Sequence, residues 1–138
     1  MKKLSIVLLF LVISTTLSLT SCKKKSKGSN LPEYYIKAKI DGQEKVFANP
    51  TANILGNVVQ FLALTSSGES IGFVFMGSNI TDLEYTVNNE NYSPENSSNL
   101  SGDISDKGEY FQGHFSGTLL GDNGGNISIT EGEFKVKK

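Results

Sequence analysis

From Glu33 onward, apolar and polar positions alternate with a period of two, the spacing that sends successive side chains to opposite faces of a β-strand. Ile36, Ala38 and Ile40 alternate against Tyr35, Lys37 and Lys39, and Asp41-Gly42 follows at once. Asp-Gly favours a type I′ hairpin turn, whose two central residues both take positive φ. A two-residue turn sets Ile40 opposite Gln43, Lys39 opposite Glu44 and Ile36 opposite Phe47, with Pro50 ending the second strand. Asn57 to Thr65 and Ile71 to Met76 are the most apolar segments of this region, joined by the turn-rich Ser66 to Ser70. Val58, Leu62 and Leu64 fall on one face of the first and Val59, Phe61 and Ala63 on the other, while Phe73 and Phe75 oppose Val74 and Met76. With apolar residues on both faces, these strands are expected to be central and covered on the second face too, by a loop, by barrel closure or by a partner, intramolecular cover being favoured.

Leu83 to Val87 continues the pattern, and Asn88 to Gly102, rich in Asn and Ser around Pro94, reads as a long surface loop in which Tyr92 is a candidate binding side chain. Phe111, Gly113, Phe115, Gly117 and Leu119 then alternate with Gln112, His114, Ser116 and Thr118. Gly121 to Asn126 turns the chain, and Ile127, Ile129, Phe134 and Val136 return, with Gly132 marking a bulge. The expected fold is all-β, an antiparallel β-sandwich or small β-barrel of about eight strands.

The first segment follows another pattern. Lys2 and Lys3 precede the apolar run Leu4 to Ile13, and Ser14 to Ser21 is small and hydroxylated, the order of a secretory signal whose apolar stretch is too short to span a bilayer. Cys22, the sole cysteine, follows Leu19-Thr20-Ser21. That arrangement resembles the lipobox of bacterial lipoproteins. The resemblance implies that the signal peptide 1–21 is cleaved, that Cys22 is lipidated, and that its acyl chains hold the protein on a membrane. The domain boundaries are then 1–21 for the signal peptide, 22–32 for the acylated cysteine and a basic flexible tether, and 33–138 for a single β-domain. Lys23 stands where an inner-membrane retention aspartate is common, and no acidic export cluster follows, which by the same analogy implies a lipid-anchored, periplasm-facing place on the outer membrane.

Composition narrows the function. Removing 21 residues leaves 117, enough for one small domain, and with Cys22 acylated that domain has no disulfide. Lys23, Lys24, Lys25 and Lys27 make the tether basic, whereas the chain from Asn30 carries 7 lysines against 14 carboxylates. The absence of arginine argues against nucleic-acid partners. His114, the sole histidine, sits on the more polar face of its strand without a serine or carboxylate tied to it by motif, so it reads as a solvent-facing residue rather than a catalytic base. Too few His and Cys remain for a zinc site, and Asp122 to Asn126 lacks the spaced ligands of a calcium loop. Glu131 and Glu133 share a strand face, a common surface arrangement. No catalytic residue, cofactor or metal site is expected.

Three stretches carry a wider resemblance: Ile36 to Gln43, Gly113 to Leu119, and Ile129 to Val136. They look like the small uncharacterised lipoprotein domains common in Bacteroidetes, of the DUF6252 kind, which implies a β-sandwich-like fold and no known activity. Where that family often has an aromatic soon after Asp-Gly, this chain has Lys45 and places Phe47 two residues later on the same face. The expected function is a membrane-anchored envelope lipoprotein acting as a non-catalytic binding or accessory module for an envelope protein or glycan. The alternatives are a lipocalin-like barrel holding an apolar ligand and a carboxylate-dependent hydrolase.

Overall fold

A computed structural model describes residues 30–138. Its ten strands are β1 (Tyr35–Ile40), β2 (Gln43–Ala48), β3 (Thr51–Leu55), β4 (Val58–Leu64), β5 (Ser70–Met76), β6 (Asn79–Val87), β7 (Glu90–Ser93), β8 (Leu100–Asp106), β9 (Tyr110–Gly121) and β10 (Asn126–Lys137). They form one antiparallel sheet, ordered β2-β1-β10-β9-β7-β6-β5-β4-β3, with β8 on the same side of β9 as β7. The sheet curls into a half-barrel. Its two edges are linked by one bent segment, since only Asn49 and Pro50 separate β2 from β3. Asn49 takes the bend with a φ of 53°. A strand that changes partners at such a corner is how a curled sheet folds over its own core.

The alternation fixes which side chains turn inward. The β1–β2 hairpin has the expected register, Ile36 with Phe47 and Ile40 with Gln43, and both turn residues have positive φ, 47° at Asp41 and 79° at Gly42. Lys39 lies opposite Glu44 as expected, but its ammonium goes to Glu131 at 2.7 Å, across the other neighbouring strand. Of the two apolar faces of β4 and β5, the one with Val59, Phe61 and Ala63 and the one with Phe73 and Phe75 turn inward and are buried, as are Phe111, Phe115 and Leu119 of the expected inward set of β9. The β4/β5 wall faces the β9/β10 wall across the core. Phe61 lies 4.9 Å from Phe134 and Phe73 4.6 Å from Phe115, ring centre to ring centre. Each buried phenyl contributes about 1.5–3 kcal/mol of transfer free energy, and each ring pair adds ~0.5–1.5 kcal/mol.

Two bulges shift the alternation. On β10 one extra residue lies between Ile129 and Gly132 relative to both neighbours, so Ile127 and Ile129 point inward before it and Phe134 and Val136 after it. The residue with left-handed backbone there is Glu131, φ 49°, rather than the neighbouring Gly132. On β6 the extra residue is Thr81, between Ile80 and Asp82 in the register with β5.

Three expectations change. The strand expected from Leu83 begins at Asn79, because the Thr81 bulge interrupts its alternation. The stretch Asn88 to Gly102 is not one irregular loop: it holds β7, a 3-10 turn at Ser97–Asn99 and the start of β8. The second face of β3, β4 and β5 is not covered within the described residues. Leu55, Leu64 and Met76 there are 66%, 62% and 51% exposed. The longest stretch read as loop, Asn88 to Gly102, does not supply the cover, because its β7 and the start of β8 pair with β6 and β9.

A polar contact reinforces the fold near the bent edge. Glu69, in the β4–β5 loop, accepts a hydrogen bond from the Tyr85 hydroxyl on β6 and one from Lys45 Nζ on β2 at 2.9 Å. Burial alone pushes the Glu69 carboxyl up, but the bonds from Tyr85 and Lys45 together outweigh it and hold the group below the usual glutamate range.

Candidate functional site

Four neighbouring strands carry one row of polar residues on the outer face of the β9/β10 wall. Asp103 on β8 lies opposite His114 on β9, His114 opposite Glu133 on β10, and Glu133 opposite Lys37 on β1. The row follows from the alternation: the flanking positions Gly113, Phe115, Phe134, Ile36 and Ala38 face the core, so these four cannot. An open groove of about 390 Å³ runs between Ser101, Asp103, His114, Ser116, Glu131 and Glu133. A second, of about 310 Å³, shares Asp103, His114 and Glu133 and extends to Tyr35, Gln112 and Lys135.

The charges in this groove are largely paired. His114 Nδ1 lies 3.1 Å from Asp103 Oδ2, and its side chain is 72% exposed, as expected of a solvent-facing strand residue. Glu133 accepts from the Tyr35 hydroxyl and sits 3.2 Å from Lys37 Nζ. The Tyr35 hydrogen bond, with help from Lys37, holds the Glu133 carboxyl below its usual range against the opposing effect of burial. Burial, followed by the bond to Glu133, pushes the Tyr35 phenol up to about 12. Glu131 shares the groove, as its strand face suggested, paired to Lys39. The groove therefore offers hydroxyls, carboxylates, an amide and an imidazole at strand spacing. That set suits hydrogen bonding to a sugar or peptide laid across it.

Asp103 was not legible as the partner of His114, because the start of β8 lies inside the stretch that reads as loop. Tyr35 was legible only as an outward strand residue. Tyr92, the candidate binding side chain of that stretch, is half-buried on β7 with its ring 6.2 Å from Tyr85. Gly121 to Asn126 forms the expected β9–β10 turn, closed by Gly121 N–H to the Gly125 carbonyl at 2.6 Å. Among the described residues no group of three or more His, Cys, Asp or Glu is placed to hold a metal ion, and no helix is long and apolar enough to cross a membrane. Cys22, the expected lipidation site, lies outside the described residues.

The opposite wall presents different chemistry. Leu55, Val58 and Met76 stand side by side on the outer face of β3, β4 and β5, with Leu62 and Leu64 further along β4. From Val46 to Thr81 the chain carries one charged residue, Glu69, although the described residues hold 7 lysines and 14 carboxylates. Glu69 is turned into its contact with Tyr85 and Lys45, its side chain 12% exposed. This near-absence of charge is the signal in the sequence that sets this wall apart from the polar groove.

No protein-family model matches the chain, and a search of curated proteins returns no match.

Proposed function

We propose that the chain is a lipoprotein of the bacterial cell envelope, attached through lipid on Cys22 to the outer membrane and facing the periplasm. Its β-domain then acts as a non-catalytic binding or accessory module of the DUF6252 kind. The observation that carries the anchoring is the order basic, apolar, small-residue, then the sole cysteine, over Lys2 to Cys22. The binding role is supported by the open polar groove around His114 and Glu133, whose donors and acceptors fit an envelope glycan or a protein segment. The phenyl-filled interior favours recognition on the exterior over an enclosed apolar ligand. The exposure of the His114–Asp103 pair favours binding over hydrolysis, which relies on desolvated, pKa-tuned groups.

Two measurements test this. Mass spectrometry of the mature protein is expected to show an acylated cysteine at the amino terminus, and Cys22→Ala is expected to move the protein from the membrane to the soluble fraction. Cross-linking in intact envelopes followed by affinity capture is expected to return a partner that is lost on combining Asp103→Ala with Glu133→Ala. An unmodified amino terminus on a soluble wild-type protein would overturn the anchoring, and capture indifferent to the double substitution would overturn the role of the groove.

A further inference from the structure

Among the described residues the uncharged outer face of β3, β4 and β5 is unpartnered, and its position relative to the rest of the domain narrows what can cover it. Because β4 and β5 face β9 and β10 across the core, the outer surfaces of these walls point in opposite directions. The apolar face and the polar groove are therefore on opposite sides of the domain. At one end of the apolar face the β3–β4 and β5–β6 turns are joined by Gly77 N–H to the Asn57 carbonyl at 2.8 Å. The two tips thus form one edge, and Ile54, Leu55, Val58 and Met76 flank it on both faces of the sheet.

We infer that this edge and the outer face behind it rest on the lipid bilayer, the tip from Ile54 to Val58 together with Met76 entering the boundary between headgroups and acyl chains. The inference builds on the lipid-anchored reading of Cys22. Thirteen residue steps separate Cys22 from the first strand residue Tyr35, a reach of at most about 45 Å. A domain of this size has a radius of gyration of ~13 Å and is thus roughly 35 Å across. An anchored domain is held within about 45 Å of the membrane, little more than its own width, and the chain is long enough to let this face turn toward it. The chemistry of the patch also selects lipid over protein. Its exposed apolar side chains, interspersed with Thr51, Asn53 and Gln60, are aliphatic or thioether, with none of the Trp, Tyr or Arg that anchor protein interfaces. The nearest charges on that face, Asp82 and Glu84 on β6, stand beside Val74 and Gly72 rather than at the tip, so the apolar edge itself enters the bilayer boundary without desolvating an ion. With this face down, the groove around His114 points away from the membrane and stays open to an envelope partner.

The chain has no tryptophan, so a single introduced indole is a clean reporter. Full-length acylated Leu55→Trp and Met76→Trp, and Ser105→Trp on the opposite wall as a reference, are reconstituted into phosphatidylethanolamine/phosphatidylglycerol vesicles with or without bromine on the acyl chains. Flotation with the vesicles reads the anchor, and indole emission reads the docking. The expected result is that all three proteins float, that emission of Leu55→Trp and Met76→Trp falls at least twofold in brominated vesicles, and that Ser105→Trp is unchanged. Flotation without quenching at positions 55 and 76 would overturn the docking while leaving the anchor intact, and would leave the face to a protein partner. Failure to float would overturn both. Both reporter sites are more than half exposed, so the substitutions spare the core, and either reporter suffices if the other protein does not fold.

Discussion

Replacing Glu69 by alanine should lower the stability of the domain by about 2–3 kcal/mol, although Glu69 belongs to a loop and contributes no apolar surface. The magnitude follows from what the carboxylate holds. Tyr85 is 3% exposed, so without Glu69 its hydroxyl loses a charge-assisted bond worth about 1.5–3 kcal/mol where water has little access. Lys45 adds less, because its side chain is 35% exposed and regains water, which limits that ion pair to at most ~1 kcal/mol. The loop itself should persist, since Thr65 N–H to the Glu69 carbonyl at 2.8 Å and Glu69 N–H to Thr65 Oγ1 at 3.1 Å do not use the replaced side chain. At ~4–5 °C per kcal/mol for a domain of this size, the melting temperature should fall by roughly 10 °C. Tyr85→Phe removes donor and acceptor need together and should cost ~1 kcal/mol, so the double mutant should show a coupling of about 1–2 kcal/mol. The pH dependence has a definite sign. The folded-state pKa of Glu69 lies below its unfolded value near 4.5, so its contribution is fully present above that value and is lost as pH falls through the lowered folded one. Urea melts of the wild type and Glu69→Ala at several pH values should therefore converge in acid. A difference under 0.5 kcal/mol at neutral pH, or one that persists undiminished at the acid end, would refute the role given to this contact.

His114→Ala should cost well under 1 kcal/mol in the same melts, since its side chain and that of Asp103 are both mostly in water; a loss above that would mean the pair stabilises the β8–β9 ladder. Gly113→Ala should be far more damaging, above ~3 kcal/mol, because a Cβ there would lie 1.9 Å from the Asp103 carbonyl oxygen and 2.9 Å from Phe134 Cζ. Near-UV circular dichroism and a thermal melt would read it, and a protein with native packing and an unchanged melting temperature would contradict the backbone approach seen between β8 and β9.

The inward half of this fold was legible because period-two alternation, Asp-Gly and the Gly121–Asn126 turn act over a few residues and need no knowledge of distant partners. Ile36, Phe61, Phe73, Phe115 and Val136 follow from it directly. The parts that were not legible share one physical cause, which is that their conformation is decided by a neighbouring strand. β3 follows Pro50 and is pinned by pairing with β4, β7 is four residues long and exists between β6 and β9, and Leu100 to Gly102 joins β8 only because Gly117 to Phe115 lie alongside. The groove was half legible for the same reason. His114 and Glu133 could be placed on outer faces by counting, but their meeting with Asp103, Lys37 and Tyr35 depends on the register across β8, β9, β10 and β1. The open face of β4 and β5 was misjudged because a doubly apolar strand looks the same whether its second face meets protein or something outside the chain.

Glycine at inward positions connects the filled interior to an exterior function. An added Cβ at Gly102 would stand 3.2 Å from Phe75 Cζ, at Gly113 2.9 Å from Phe134 Cζ, and at Gly132 2.8 Å from Phe115 Cδ2, so three phenyl rings lie directly over bare backbone. Phe134 and Phe115 lie over glycines of the neighbouring strand in their own wall. With Phe73 stacked on Phe115 and Phe61 against Phe134 across the core, the space that a lipocalin-like barrel would offer to a ligand is taken by side chains. Enlarging those glycines would push the walls apart instead of lining a pocket. Selection for this packing leaves the outward positions of the same strands free to vary in chemistry, since they touch only solvent and one another. On β8, β9, β10 and β1 those positions are mostly polar, with the charges paired; on β3, β4 and β5 they are mostly apolar and uncharged. One curled sheet thereby carries two unlike surfaces on opposite sides, an arrangement suited to a domain that lies on one partner while presenting a groove to another.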